Sequence, residues 1–253
     1  MGKLVYIGCF LLFSLTGHGQ NEALFHKATE AYNKGAYDEA IANYLDILDN
    51  GQHSASVYFN LGNAHYKRNE IASSIYYYEK ALLLDPNDAE IRNNLGYAQN
   101  MTLDAIDPLP ETGLAKLYGN ITNIMTFDQW AVLAVVCILV FVLLYILFAY
   151  ATYSSRKRWA FITSLMVLFM GVLSVIFAYV QYRDFKADQP AIIFADEITI
   201  RSEPNTNSEE VFSLHAGTKV NLLDELNDWH KIRIANGQIG WVPAAEVKAI
   251  KDF

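Results

Sequence analysis

A chain of 253 residues with 27 acidic against 19 basic side chains carries a net charge of −8, which argues against a nucleic-acid partner, because neutralising phosphates takes clustered Lys and Arg. Hydrophobic residues make up 53% of the chain and the mean hydropathy is +0.12, an excess concentrated in two central stretches. Cys9 and Cys137 both fall in apolar runs, so no disulfide framework and no thiolate metal site are available.

Lys3, the apolar run Leu4 to Leu15, and the small residues Gly17 and Gly19 before Gln20 read as a signal peptide over residues 1–19. The run is too short for an ordinary membrane span. Cleavage exports the following segment; the alternative is an uncleaved anchor.

Residues 20–106 match themselves at an offset of 34: Leu61-Gly62 with Leu95-Gly96, Asn60 with Asn94, Tyr44 with Tyr78, Tyr32 with Tyr66. The middle copy reads Tyr58-x-x-Leu61-Gly62-x-x-His65, then Ser74-x-x-x-Tyr78-x-x-Ala81, then Pro86. Gly62 and Ala81 let two antiparallel helices approach, Tyr58 and Tyr78 fill their seam, and Pro86 ends the second helix. Gly35 and Asn69 mark turns, and helices are expected near 21–34, 37–49, 55–68, 71–84 and 88–102. The pattern resembles the tetratricopeptide repeat, an α-solenoid unit, with Tyr58 where Trp is usual and Ser74 where Ala is. The first copy is degenerate, since Lys27-Ala28 replaces Leu-Gly.

The first helix of each pair should supply a concave face. Phe59, Asn63, Tyr66, Asn93 and Tyr97 are the candidate protein-binding residues. Rings beside amides suit an extended peptide, whose backbone needs both a donor and an acceptor. The alternative is that Phe59 and Tyr66 only close the helix seam. Lys67 is the one base suited to a terminal carboxylate.

Residues 107–128 form a linker. Asp107-Pro108-Leu109-Pro110 stops helix propagation and marks a boundary. Leu109 to Gly113 spell a sortase signal, but such signals belong at a C-terminus, and the match is read as chance. Leu114, Leu117, Tyr118, Ile121, Ile124 and Met125 then follow helical spacing, with Lys116, Asn120 and Asn123 on other faces. This short helix either lies in a membrane interface or packs under the repeats.

Gln129 to Ser155 and Trp159 to Tyr182 are uncharged and apolar, and each exceeds the ~20 residues that cross a bilayer. The expected spans are 129–152 and 159–182. Residues 153–158, with Arg156-Lys157-Arg158, form the expected cytoplasmic loop. Two crossings after an exported segment put both acidic flanks in the periplasm, anchored in a bacterial inner membrane. Neither span contains a carboxylate, His or basic residue, so no ion or proton path is indicated. Gly171 and Ser174 with Ala131 and Ala134 suit close helix packing.

From 190 to 251 short β-type runs replace helix: 191–194, 198–201, 219–223, 229–234 and 238–242. Turn formers such as Ala216-Gly217, Asn227-Asp228 and Asn236-Gly237 separate them. Five such strands suggest a small all-β barrel. Ile198 to Pro204, Leu214-His215-Ala216-Gly217-Thr218, Asp228 to Ile232 and Gly237 to Val242 resemble the bacterial SH3 family, with Glu203 where Gly is common. The resemblance implies contacts with cell-wall peptides or protein segments. Trp229 and Trp241 are the candidate ligand patch, Trp229 as the more exposed ring and Trp241 nearer the core; a purely structural role is the alternative.

No enzyme is expected. His65 sits at a repeat position as a packing residue, His230 on a strand where exposure is expected, and neither has a partner at a catalytic spacing. No phosphate loop, dinucleotide fingerprint or zinc pair occurs, so no cofactor is implied. The order of signal, repeats, spans and SH3-like module resembles the BatE-type family of the Bat aerotolerance group in the Bacteroidetes. That resemblance implies a periplasm-facing scaffold working with Bat membrane proteins that carry von Willebrand A-type domains, and with a MoxR-type ATPase. The rival reading is a sensor whose SH3-like module binds peptidoglycan.

Overall fold

The computed structural model describes residues 19–110 and 113–252; the signal-peptide reading and the centre of the sortase-like string lie outside them. Of the described residues, those up to Pro108 and those from Gln189 onward form one compact unit, and Leu109 to Asp188 form a second.

The first unit begins with five helices: α1 (19–33), α2 (Tyr37–Asp49), α3 (Ala55–Lys67), α4 (Ile71–Leu84) and α5 (Ala89–Gln99). Gly35 (φ 78°) and Asn69 (φ 62°) make the turns within the two pairs. Ser54 caps α3 by accepting from the Val57 amide, and Asp88 caps α5 by accepting from Glu90 and Ile91. The α3–α4 seam depends on Gly62, where a Cβ would come within 2.5 Å of the Tyr78 ring. Ser74 is fully buried beside it and donates to the Gly62 carbonyl at 2.9 Å, which accounts for a hydroxyl where the repeat usually has Ala.

Helix α5 ends three residues before the expected 102. The segment that follows is drawn onto the β module instead: the Thr102 methyl approaches Gly217, and Ile106 joins the β core. That module has seven strands where five were expected: β1 (Pro190–Ile193), β2 (Glu197–Arg201), β3 (Glu210–His215), β4 (Lys219–Leu226), β5 (Trp229–Arg233), β6 (Ile239–Pro243) and β7 (Val247–Ala249). β3 buries only Leu214 of its six residues, and β7 is three residues long, so neither shows strong apolar alternation. The sheet is antiparallel and open, in the order β3-β2-β6-β5-β4-β1-β7, and this corrects the expected closed barrel. At the β1–β7 end, Ile192 and Ile250 are fully buried in the helical core, with Phe194 packed edge-on against Tyr76 at 5.8 Å. One face of the β1–β7 end thus completes the helical core, while the rest of the sheet packs a separate cluster that includes Ile200, Ile232 and Val242.

The second unit contains α6 (Gly113–Thr122), α7 (Phe127–Tyr150) and α8 (Ser154–Ala187). α7 and α8 are long and apolar enough to cross a membrane. Thr126 and Gln129 form a reciprocal capping box that starts α7. Helix α8 is longer than the expected span 159–182, and Arg156, Lys157 and Arg158 lie in its first turns instead of in a loop. No Pro or Gly interrupts residues 154–158, so the helix runs on past the apolar stretch. Ala134, Cys137, Gly171 and Ser174 are buried in the α7–α8 seam; Ala131 is exposed, and Cys137 takes the role expected of it. A Cβ on Gly171 would stand 3.1 Å from the Cys137 Cβ, which is why a small residue is needed there.

Candidate functional site

The inner face of the repeats encloses an open groove of about 460 Å³. Tyr32, Phe59, Asn60, Asn63 and Tyr66 line it from α1 and α3, Tyr78 from α4, and Asn94 and Tyr97 from α5, with Lys67 and Glu90 also in its wall. Of the residues singled out from sequence, Phe59, Asn63, Tyr66 and Tyr97 come together here. Asn93 does not: it is exposed and outside the groove. Helix α5 buries Ile91, Leu95 and Ala98, and that phase turns Glu90, Asn94 and Tyr97 inward, one helical step from Asn93. The repeat offset of 34 equates Asn94 with Asn60, and that equivalence was the signal that identifies it.

The groove floor is pre-ordered. The Asn63 side-chain oxygen accepts from the Tyr78 hydroxyl at 2.6 Å and from the Asn94 amide at 2.9 Å. Both bonds use the oxygen, which leaves the Asn63 amide nitrogen as a donor for a ligand. Phe59 leans on Tyr78 with ring centroids 5.9 Å apart, while Tyr97 is 64% exposed. Floor residues thus hold shape, and Tyr97 is the ring available for contact without repacking. His65 sits outside this groove, stacked on Tyr77 at 5.2 Å with Nδ1 2.6 Å from Glu70. Burial pushes its pKa below the ordinary value, as suits a neutral packing residue.

A second candidate surface lies on the sheet. Trp241 pairs across the strands with Lys231 on one side and Arg201 on the other, and Trp229 pairs with Pro243. Cross-strand partners share a face, so two indoles, two cations and a proline are brought together. Lys231 Nζ stands 5.8 Å from the Trp241 ring centre. Arg201 is oriented by donating to the Ser208 carbonyl at 2.7 Å. Trp241 was expected nearer the core, but both indoles are half-buried. β6 buries Gly240 and Val242, so alternation sends Trp241 to the opposite face. Gly240 is pressed against Ile200, where a Cβ would come to 2.4 Å. His230 is half-buried, not exposed as expected.

Polar contacts lock the two modules of this unit together. Asp104 accepts from the His215 amide at 2.7 Å and the Thr218 hydroxyl at 2.5 Å, and lies 2.6 Å from His215 Nδ1. Burial alone pushes the Asp104 carboxyl up, but hydrogen bonds from Thr218 and from the His215 backbone and ring hold it below its usual value. The same Asp104 bond raises His215. Lys219 pairs with the buried Glu79 at 2.8 Å, and Asp252 bonds both Lys80 and the Tyr76 hydroxyl. None of these pairings stood out from sequence, because each joins residues more than a hundred positions apart.

No curated protein matches the chain. Residues 55–88 match the tetratricopeptide repeat family, and residues 196–248 match the bacterial SH3 domain family.

Proposed function

We propose that this protein is a membrane-anchored interaction scaffold that presents two separate binding faces on one fused unit. Repeat and bacterial SH3 domains serve protein-interaction or cell-wall-binding roles, and both kinds are typically non-catalytic. The observation that carries the reading is the repeat groove. It is open, its floor is ordered by Tyr78 and Asn94, and rings alternate with amides along its wall. An extended peptide segment of a partner protein fits that chemistry: rings take side chains, and amides take the backbone. Because Ile192 and Ile250 of the sheet pack into the helical core and both segments form one compact unit, the segments before and after the α7–α8 hairpin belong in one compartment, which supports a two-pass topology. A periplasmic location for both agrees with the export reading of the N-terminus and with a bacterial SH3 domain.

The partners proposed for the groove are Bat membrane proteins with von Willebrand A-type domains, functionally linked to a MoxR-type ATPase; the support is the modular order of the chain. Tyr97→Ala in the full-length protein tests the groove, since an exposed ring can be removed without disturbing the floor. Co-purification of von Willebrand A-type partners from membranes should fall by about tenfold, the scale of a ~1.4 kcal/mol contact. Undiminished recovery would count against the groove.

A second reading is favoured by the sheet face. Trp229 and Trp241 flanked by Lys231 and Arg201 suit the carboxylate-bearing stem peptides of peptidoglycan. Co-sedimentation of the detergent-solubilised full chain with purified sacculi should then be lost in Trp241→Ala and kept in Tyr97→Ala. The intact chain is required, because excising the sheet would expose Ile192, Phe194 and Ile250.

A further inference from the structure

Helix α6 has an apolar side that neither binding face uses. Leu117 and Ile121 stand one turn apart on it, and Ile124 follows just past its end; they are 56%, 40% and 68% exposed. At about 100° per residue these three form one stripe, Lys116, Asn120 and Asn123 a second, and Tyr118 and Thr122 a third.

The third stripe is committed to the hairpin. The Tyr118 hydroxyl donates to Asp184 at 2.6 Å, and the carbonyl of the buried Thr122 accepts from the Trp130 indole N–H at 3.0 Å. Gln181 donates from its amide to that same carbonyl at 3.3 Å and to the Met125 carbonyl at 3.2 Å. These bonds tie α6 to the start of α7 and the end of α8. At that level stand the rings of Trp130 and Tyr182, with Lys186 Nζ 5.0 Å over the Tyr182 ring. Aromatic rings and bent-back lysines of this kind mark the boundary between acyl chains and headgroups. Just beyond, Val132, Val135, Val175 and Tyr179 face outward along the spans. The Leu117–Ile121–Ile124 stripe is left uncovered on a helix bonded at that level, and its polar neighbours suit headgroups and water.

We propose that α6 is a membrane-surface helix whose occupant is the phospholipid bilayer: Leu117, Ile121 and Ile124 dip among the acyl chains, and Lys116, Asn120 and Asn123 face the headgroups. The proposal rests on the reading that α7 and α8 span a bilayer. Its tether distinguishes it from a freely sliding amphipathic segment, since Trp130, Tyr118 and Gln181 fix both depth and direction.

The full chain, with Cys9→Ala and Cys137→Ala, is given a single cysteine by Leu117→Cys, Lys116→Cys or Leu139→Cys. Each is labelled with an environment-sensitive fluorophore and reconstituted into phosphatidylcholine–phosphatidylglycerol vesicles. Lipids brominated near the headgroup end of the chain should quench position 117 at least about twofold more than position 116, and more than mid-chain brominated lipids do. Position 139, 65% exposed in mid-span, should respond most to the mid-chain bromines. An unquenched 117 beside a quenched 139 would overturn the surface helix while leaving the spans intact. An unquenched 139 would overturn both.

Discussion

The docking of the sheet on the repeats can be weighed at one glycine. Gly217 turns between β3 and β4 with φ +91°, and a Cβ there would come within 2.9 Å of the Thr102 methyl and 3.2 Å of Ile75 Cδ1. Gly217→Ala therefore incurs two costs. A left-handed backbone costs an L-residue about 1–2 kcal/mol, and forcing a methyl into a packed junction costs about 1–3 kcal/mol. Gly35→Ala is the matched comparison, because its φ is +78° and nothing lies within 4 Å of a Cβ. It should incur only the backbone cost. Urea unfolding of the full chain in mild detergent, read by protease resistance of the repeat–sheet unit, should show Gly217→Ala less stable than Gly35→Ala by about 1–3 kcal/mol. In a thermal scan each kcal/mol corresponds to about 2–4 °C. Thr102→Ser removes the opposing methyl but keeps the hydroxyl that donates to the Gln99 carbonyl at 2.8 Å. Added to Gly217→Ala, it should recover part of the excess, which is a coupling between two sites 115 positions apart in sequence, 102 to 217. Equal losses at Gly35 and Gly217 with no coupling to Thr102 would refute the packed junction between sheet and repeats.

The same junction should respond to pH. His215 is raised by its bond to Asp104, with Glu197 also near, so its contribution is complete below the ordinary His value of about 6.5 and lost as pH rises through the raised one. Asp104 is lowered, so its contribution is complete above the usual carboxylate value and lost only in strong acid. The unit should therefore lose stability upward from about pH 6.5, measured by urea midpoints, and Asp104→Asn should flatten that slope; an identical slope in the variant would exclude the pair as its source. In the hairpin, Gly171→Leu should destabilise α7–α8 packing by about 1–3 kcal/mol in detergent-titration unfolding. Met166→Leu, at a 67% exposed position on the same helix, should leave it unchanged.

What can be read before folding reflects local physics. The repeat helices follow from a 34-residue period, with Gly35 and Asn69 adopting the left-handed turns their side chains tolerate. The two long apolar helices, α7 and α8, follow from uninterrupted runs of apolar residues. Groove residues Phe59, Asn63 and Tyr66 on α3 and Tyr97 on α5 follow from register along the first helix of each pair, and Asn93 failed because the packing of Ile91 and Leu95 sets the rotation of α5. Strands β3 and β7 escaped notice for a similar reason: they are held by pairing with β2 and β1, and their own side chains carry little pattern.

Tertiary structure alone decided which surfaces meet. Nothing local links Asp104 to His215, Glu79 to Lys219 or Tyr76 to Asp252, since such contacts depend on where a distant part of the chain returns. Packing Ile192 and Ile250 into the helical core likewise follows from burying apolar area that neither module covers alone. Sequence determined the parts through periodicity and local backbone preference; the joining of repeats and sheet into a single unit was decided by long-range burial and pairing, which no short window of residues encodes.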